Sequence, residues 1–389
     1  MRFSGRLPWD LPPNRLAAAL ERRRAAGGQI LDLTQSNPTR AGFHYPEALG
    51  RALAHPGALL YDPAPAGAAE ARRAVAAYYE ARDLSVSARQ IVLASSTSEA
   101  YAWLFKLLCD PGDQVLAPRP SYPLFELLAG LEAVRIAQYP LRYDGRWWLD
   151  WEALRQALTP RTRAVIAVQP NNPTGSRLEP AELQRLAALC AERGAALISD
   201  EVFADYPLGA EPAVDSALGC AGEALVFALS GLSKVVGLPQ MKLAWIAVGG
   251  PPERREGALQ RLELIADTYL SVGTPVQLAL PELLAAGQAV RRQIQERVRG
   301  NFARLAALLA PPSPVELLRA EAGWYAVLRV PRIRSEEQWC LELLERHGVL
   351  AQPGYFYDFA SEAYLVISLL TPPAVLEAGL RRILETAAG

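Results

Sequence analysis

The sequence predicts an α/β fold of three layers, a mainly parallel sheet with helices on both faces, joined to a smaller α+β part. Three observations carry that prediction. From Ala68 onward, helix-period segments alternate with short apolar runs, as in strands linked by helical crossovers. The runs are rich in β-formers and bounded by helices, the pattern of a sheet buried on both faces. Near Pro281 the alternation gives way to a long helical stretch followed by mixed strands and helices.

Taken in order, residues 15–26 read as a helix that stops at Gly27-Gly28. A proline-rich stretch from Asn37-Pro38 to Tyr61-Asp62-Pro63-Ala64-Pro65 reads as irregular chain. Predicted strands cover residues 91–94, 114–117, 164–168, 195–199, 224–229 and 243–248, with amphipathic helices at 99–109 and 181–193 between them. After Pro281 come a helix over 289–309, a strand over 324–330, a helix over 336–347, a strand over 364–369 and a last helix. The expected division is a large domain, residues 46–285, and a small one made of residues 1–45 and 286–389. No repeat or low-complexity linker interrupts it.

At 389 residues, 51% hydrophobic and 21% charged, the chain is that of a globular protein with a large core. A net charge of −1 without long runs of one sign argues against nucleic acid or an acidic membrane surface as partner. Residues 1–10 lack the apolar core of a secretory leader, and no apolar run is long enough to span a bilayer. Four scattered cysteines without a CxxC pair read as reduced thiols, so the expected location is cytoplasmic. Three isolated histidines make a metal site improbable, and none is expected.

Lysine usage is the sharpest chemical clue. Only Lys106, Lys234 and Lys242 are lysines; the other 37 basic residues are arginines. An imine-forming amine is a role that arginine cannot fill, because its guanidinium stays protonated. Lys234 closes Ser230-Gly231-Leu232-Ser233-Lys234, directly after the apolar run 224–229. Ligand sites in open α/β sheets gather at the carboxyl ends of strands, and three more predicted strands end in polar groups. Residues 91–94 lead into Ser95-Ser96-Thr97-Ser98-Glu99, a hydroxyl-rich helix start that could hold a phosphate, or a capping box of Ser96 and Glu99, or both. Residues 164–168 lead into Asn171-Asn172-Pro173-Thr174-Gly175, which also reads as a turn. Residues 195–199 lead into Asp200-Glu201, a carboxylate that needs a cationic partner if buried, or a helix N-cap.

Asn-Pro-Thr-Gly, then Asp-Glu, then Ser-Lys over some sixty residues resembles the class I/II aminotransferases, pyridoxal 5'-phosphate (PLP) enzymes of fold type I, along nearly the whole chain. The resemblance implies a PLP-dependent aminotransferase that moves an amino group from an amino acid to a 2-oxo acid. Lys234, after Ser233, would form the Schiff base and move the substrate α-proton. Asp200 would keep the ring nitrogen protonated. Asn172 would donate to the ring phenolate and face the substrate. Tyr122 would stack on the ring, and Ser96, Thr97 and Ser98 would cradle the phosphate. Tyr61, ahead of Gly67 and Arg72, would reach the phosphate of a partner subunit, which implies a homodimer with shared active sites.

Three positions depart from the family pattern. Phe203 stands where a tyrosine usually gives the phenolate a second hydrogen bond, worth roughly 0.5–1.5 kcal/mol; its absence should raise the imine pKa, and Tyr206 is a possible substitute. Lys242 stands where a phosphate-binding arginine is usual, giving a point charge without a bidentate fork; it is also the rival imine lysine. Val366, in Tyr364-Leu365-Val366-Ile367-Ser368, stands where an arginine usually clamps the substrate carboxylate. Arg40 is the expected replacement, with Arg329 behind it. Aromatic residues Trp9, Phe43, Tyr45, Tyr355 and Phe356 are expected near the pocket and point to an uncharged donor. A β-lyase or amino-acid oxidase on the same fold is the alternative outcome; a cofactor-binding regulatory module would need an attached domain for which 389 residues leave no room.

Overall fold

A computed structural model describes residues 1–9, 14–209 and 215–388. Its centre is an eight-stranded sheet whose spatial order, by strand, is Ile91–Ala94, Ala244–Gly249, Val226–Gly231, Ala196–Asp200, Thr162–Val168, Gln114–Arg119, Arg135–Tyr143 and Trp147–Leu149. The five strands from Val226–Gly231 to Arg135–Tyr143 pair in parallel. Ala244–Gly249 runs antiparallel to both of its neighbours, and Trp147–Leu149 closes the other edge as an antiparallel hairpin strand. The predicted strands sit within about two residues of the observed ones. The hairpin of Arg135–Tyr143 and Trp147–Leu149 was not expected, since arginine, glutamine and tyrosine interrupt its apolar pattern.

Helices cover both faces. Thr97–Leu108 and Pro252–Asp267 pack on one side through Trp103, Leu104, Phe105 and Leu262, all buried. Pro180–Glu192 covers the other through Leu183, Leu186 and Cys190. Pro180 opens that helix at a position where a missing N–H costs nothing. The helix Gln288–Leu308 carries Val290, Ile294, Val298 and Leu305 at helical spacing into the largest core cluster, which also takes in the C-terminal part.

That part is a four-stranded antiparallel sheet, in order Glu316–Leu317, Tyr325–Arg329, Tyr364–Ser368 and Gln352–Pro353, with helices Glu336–His347 and Pro373–Ala388. Ser335 caps the first of these with a reciprocal box to Gln338, and Gly348 ends it in the left-handed conformation. The N-terminal segment joins this part: Leu31–Asp32 pairs in parallel with Val349–Leu350, and helix Arg15–Ala25 lies against Glu336–His347. The irregular stretch expected over 37–65 contains only short helical turns. No helix of the described residues is long and apolar enough to cross a membrane.

Candidate active site

Strand direction brings the functional groups to one edge of the sheet. Ile91–Ala94, Thr162–Val168, Ala196–Asp200 and Val226–Gly231 all run the same way, so all four end there. Ala244–Gly249 runs oppositely, so its start, just after Lys242, arrives at the same edge. The approach is close at Gly231, where a Cβ would lie 2.9 Å from Ala244 Cα. Above this edge lies a cavity of about 480 Å³ lined by Ser96, Thr97, Ser98, Tyr122, Asn172, Asp200, Phe203, Ser233, Lys234 and Lys242. Ten of the predicted site residues therefore meet in one place.

Each group has a definable state. The Tyr101 hydroxyl donates to Asp200 Oδ2 at 3.0 Å, and the Val202 N–H donates to Oδ1 at 3.3 Å. No ion pair among the described residues reaches this carboxylate. Dense surrounding protein raises its pKa to about 6 against those two hydrogen bonds and the charge of Lys234. Burial likewise lowers the Lys234 pKa to about 8, with Asp200 opposing. The ammonium lies 4.9 Å from the Trp324 ring centroid and 5.5 Å from that of Phe203. Asp200 does not cap a helix, because residues 202–205 form a turn. Its neighbour Glu201 faces away and is bound by Ser199, Ser216 and the Ala217 N–H.

The Asn-Asn-Pro turn divides its labour. Asn171 is structural: its amide donates to Pro120 O and Thr174 Oγ1. Asn172 is buried at the cavity, and its Oδ1 has no partner. Gly175, at φ +65°, lets the turn press against the C-terminal part, where its carbonyl accepts from the Glu321 and Ala322 N–H groups. Ser96 caps helix Thr97–Leu108 by accepting from the Glu99 N–H, while Glu99 turns to the Ser95 N–H and the Ser271 hydroxyl. The start of the helix is therefore capped and still presents hydroxyls to the cavity. Tyr122 is 46% exposed on the cavity wall, its hydroxyl pKa raised by burial and then by Asp200.

Other expected residues lie elsewhere. Tyr61 is exposed and lines a separate small cleft with Gly67, while Arg72 donates to Gly67 O and Ala88 O of its own chain. Tyr206 cannot replace the hydroxyl missing at Phe203: it is fully buried and donates to Lys234 O at 2.5 Å. Arg40 is exposed on a short helical turn and does not line the cavity; a turn fixed by Asn37 points it outward. Arg329 is held by Glu316 on the outer strand pair. Phe43 packs under Arg297, Tyr45 bonds Gly237 O, and Trp9, Tyr355 and Phe356 also lie off the cavity. The aromatics that line it are Tyr122, Phe125, Phe203, Tyr325 and Tyr357.

Val366 is fully buried among Val327, Leu318, Tyr357, Phe359 and Tyr364. Beside it, sequence reasoning missed Gln352, Tyr325, Tyr357 and Ser36, which line the cavity opposite the strand ends. Only the pairing of Gln352 with Val366, and of Val327 with Val366, reveals that these segments adjoin.

The donor set fits PLP. A deep carboxylate without a protein cation suits a ring N–H⁺, an amine whose pKa is lowered toward neutrality suits an aldehyde, and a hydroxyl-lined helix start with Lys242 suits a phosphate. The Asn172 amide also lines the cavity without a side-chain hydrogen bond to the protein, leaving its N–H groups for an acceptor there.

Comparison with known proteins agrees with this geometry. Residues 29–383 match the family model for aminotransferase class I and II. The chain is 28% identical over 348 residues to the glutamate-pyruvate aminotransferase AlaA of Escherichia coli K12, covering 87% of this chain and 85% of that protein. It is also 28% identical over 382 residues to an alanine aminotransferase of Mycobacterium tuberculosis, covering 96% and 88%. In structure it is similar to an E. coli aminotransferase (TM-score 0.89, 23% identity, 100% and 98% covered) and to a Thermus thermophilus aspartate aminotransferase mutant (0.83, 25%, 99% and 100%).

Proposed function

The chain belongs to the class I and II aminotransferases and is a PLP-dependent enzyme of amino-group transfer, and from that premise we propose that it moves the amino group of an amino acid to a 2-oxo acid with Lys234 as the reactive amine. The observation that carries the proposal is the meeting of Lys234, Asp200, Asn172 and the Ser96–Ser98 hydroxyls at one sheet edge. Bound PLP supplies an electron sink for the carbanion left when the α-proton departs.

The chain's own groups have separable tasks. Lys234 Nζ, with a pKa of about 8, anchors the cofactor and then takes and returns the α-proton as a base poised near neutrality. Asp200 holds a proton on the ring nitrogen, its own charge being costly without one. Asn172 would direct its amide to the ring oxygen, and Tyr122 would cover one ring face. Ser96, Thr97, Ser98 and Lys242 hold the phosphate, with Ser233 beside them; Phe203 supplies packing and no hydrogen bond. Exposed Tyr61 would serve the partner's site in a homodimer. The same reading divides the chain into a large cofactor-binding part, 46–285, and a small part, 1–45 with 286–389. Four free cysteines suit a reducing cytoplasm. Because relatives are alanine and glutamate-pyruvate aminotransferases, alanine, glutamate and pyruvate are the substrates to try first.

A single-turnover experiment tests this. PLP-loaded enzyme is mixed with one amino acid and no oxo acid. Conversion to the pyridoxamine form with one equivalent of 2-oxo acid is expected; ammonia accumulating over many turnovers would overturn the proposal.

A further inference from the structure

The substrate end of the cavity has no cation of its own. Lys234 and Lys242 are the only positive groups among its described lining residues, and both are engaged with the cofactor in the reading above. Val366 packs among apolar and aromatic side chains, Arg40 is turned outward and Arg329 is paired with Glu316. Directly across the strand pair from Val366 is Gln352. The Tyr357 hydroxyl donates to Gln352 Oε1. That bond fixes which end of the amide is used up and leaves the two N–H groups of Nε2 without a protein partner, on a residue that lines the cavity. The other polar groups nearby, Ser36 and Tyr325, are neutral hydroxyls; burial pushes the Tyr325 hydroxyl up to about 12.

We propose that Gln352 contacts the carboxyl-bearing end of the substrate through its Nε2 N–H groups, so that the site takes amino donors carrying a neutral amide or alcohol there as well as those with a free carboxylate. This rests on the amino-transfer reading and names the substrate class of that site. The physical reason is symmetry of cost. A guanidinium fork rewards a carboxylate with two charge-assisted bonds and penalises its loss. A neutral N–H keeps only the modest advantage of one charge-assisted bond for a carboxylate, still donates to an amide carbonyl or a hydroxyl, and strands no buried cation when the charge is missing. Tyr357 is the positioning residue, since without its hydroxyl the amide is free to turn over.

The test uses PLP-loaded enzyme in single turnovers with matched acid, amide and alcohol donors bearing the side chains of alanine, leucine and phenylalanine. For the best side chain, the three second-order rate constants should agree within about thirtyfold. Gln352→Glu should slow the acid by about thirtyfold or more and leave the alcohol within about threefold, because only the acid meets like charge. Gln352→Leu, which adds no charge, should slow all three by about tenfold, and Tyr357→Phe should raise KM for all three with kcat nearly kept. A wild-type preference for the acid above about thirtyfold would overturn the proposal, placing a cation at the substrate from outside this lining. Gln352→Glu slowing acid and alcohol alike, or Gln352→Leu changing nothing, would overturn it too. Should no donor react, the amino-transfer reading itself fails; titration of the cofactor's absorbance with acid, amide and alcohol then still decides the preference.

Discussion

The two walls of the cavity are built by different means. On the cofactor wall, each group sits at a strand end of one sheet or a few residues past it: Ser96–Ser98, Asn172, Asp200 and Lys234, with Lys242 just ahead of a strand start. On the substrate wall, Ser36, Tyr325, Gln352 and Tyr357 come from segments more than three hundred residues apart at their extremes, with Tyr325 and Gln352 brought together by antiparallel register against Tyr364–Ser368. The charges also divide: Asp200, Lys234 and Lys242 stand on the first wall, while the second is neutral. A cavity of this kind holds its cofactor by electrostatics and sorts substrates by shape and uncharged hydrogen bonds.

The strongest way to break the comparison is to remove the amine from the charged wall. Lys234→Ala should lower kcat by about a thousandfold or more, since a positioned base is lost along with the anchor. Stopped-flow absorbance with the amino donor measures it, and retained activity would make Lys242 the reactive lysine. Next comes the carboxylate. In the cofactor-free protein, the Asp200 pKa rises from 3.8 to about 6, so the folded state binds more protons than the unfolded one between those values. Stability should therefore fall as pH rises from 3.8 to about 6, by roughly 3 kcal/mol, and stay level above. Asp200→Asn should remove that slope in denaturant melts across pH 4–7, and its persistence would assign it to another group.

The difference between the walls is also the difference between what was legible in the sequence and what was not. A polar motif directly after an apolar run declares its own position, because parallel strands all end at one edge. That is why Lys234, Asp200 and Asn172 could be read together. Gln352 follows the short apolar run Val349 to Ala351 and gives no such sign; its place depends on pairing with Val366. Arg40 was misplaced for the same reason, since proximity in the N-terminal segment says nothing of which way a turn points its side chain. The hairpin beginning at Arg135 was missed because its strands are half-covered and lack a clean apolar run. Helix Gln288–Leu308 was legible because its apolar spacing is internal to it.

Two smaller changes sharpen the contrast within the charged wall. Lys242 lies exposed at the cavity's rim in the left-handed conformation, at φ +50°. Lys242→Ala should weaken PLP binding about tenfold in fluorescence titrations, the worth of one charge-assisted bond, while Lys242→Arg should hold it. The smallest effect belongs to Phe203, the one place where the cofactor wall is less polar than its family pattern. Its ring stands edge-on to Trp324 at 5.2 Å and beneath the Lys234 ammonium. Phe203→Tyr adds a donor where Tyr206 cannot supply one, because the Tyr206 hydroxyl is bound to the Lys234 carbonyl. A donor to the cofactor's phenolate favours the deprotonated form, so the midpoint of its visible band should move down by about one pH unit or less, equivalent to about 0.5–1.5 kcal/mol. Absorbance titration of the PLP-loaded variant reads it. An unmoved midpoint with a lower Tm would mean that the hydroxyl has turned into the aromatic packing, so that Phe203 serves the joint with Trp324 and not the cofactor's charge.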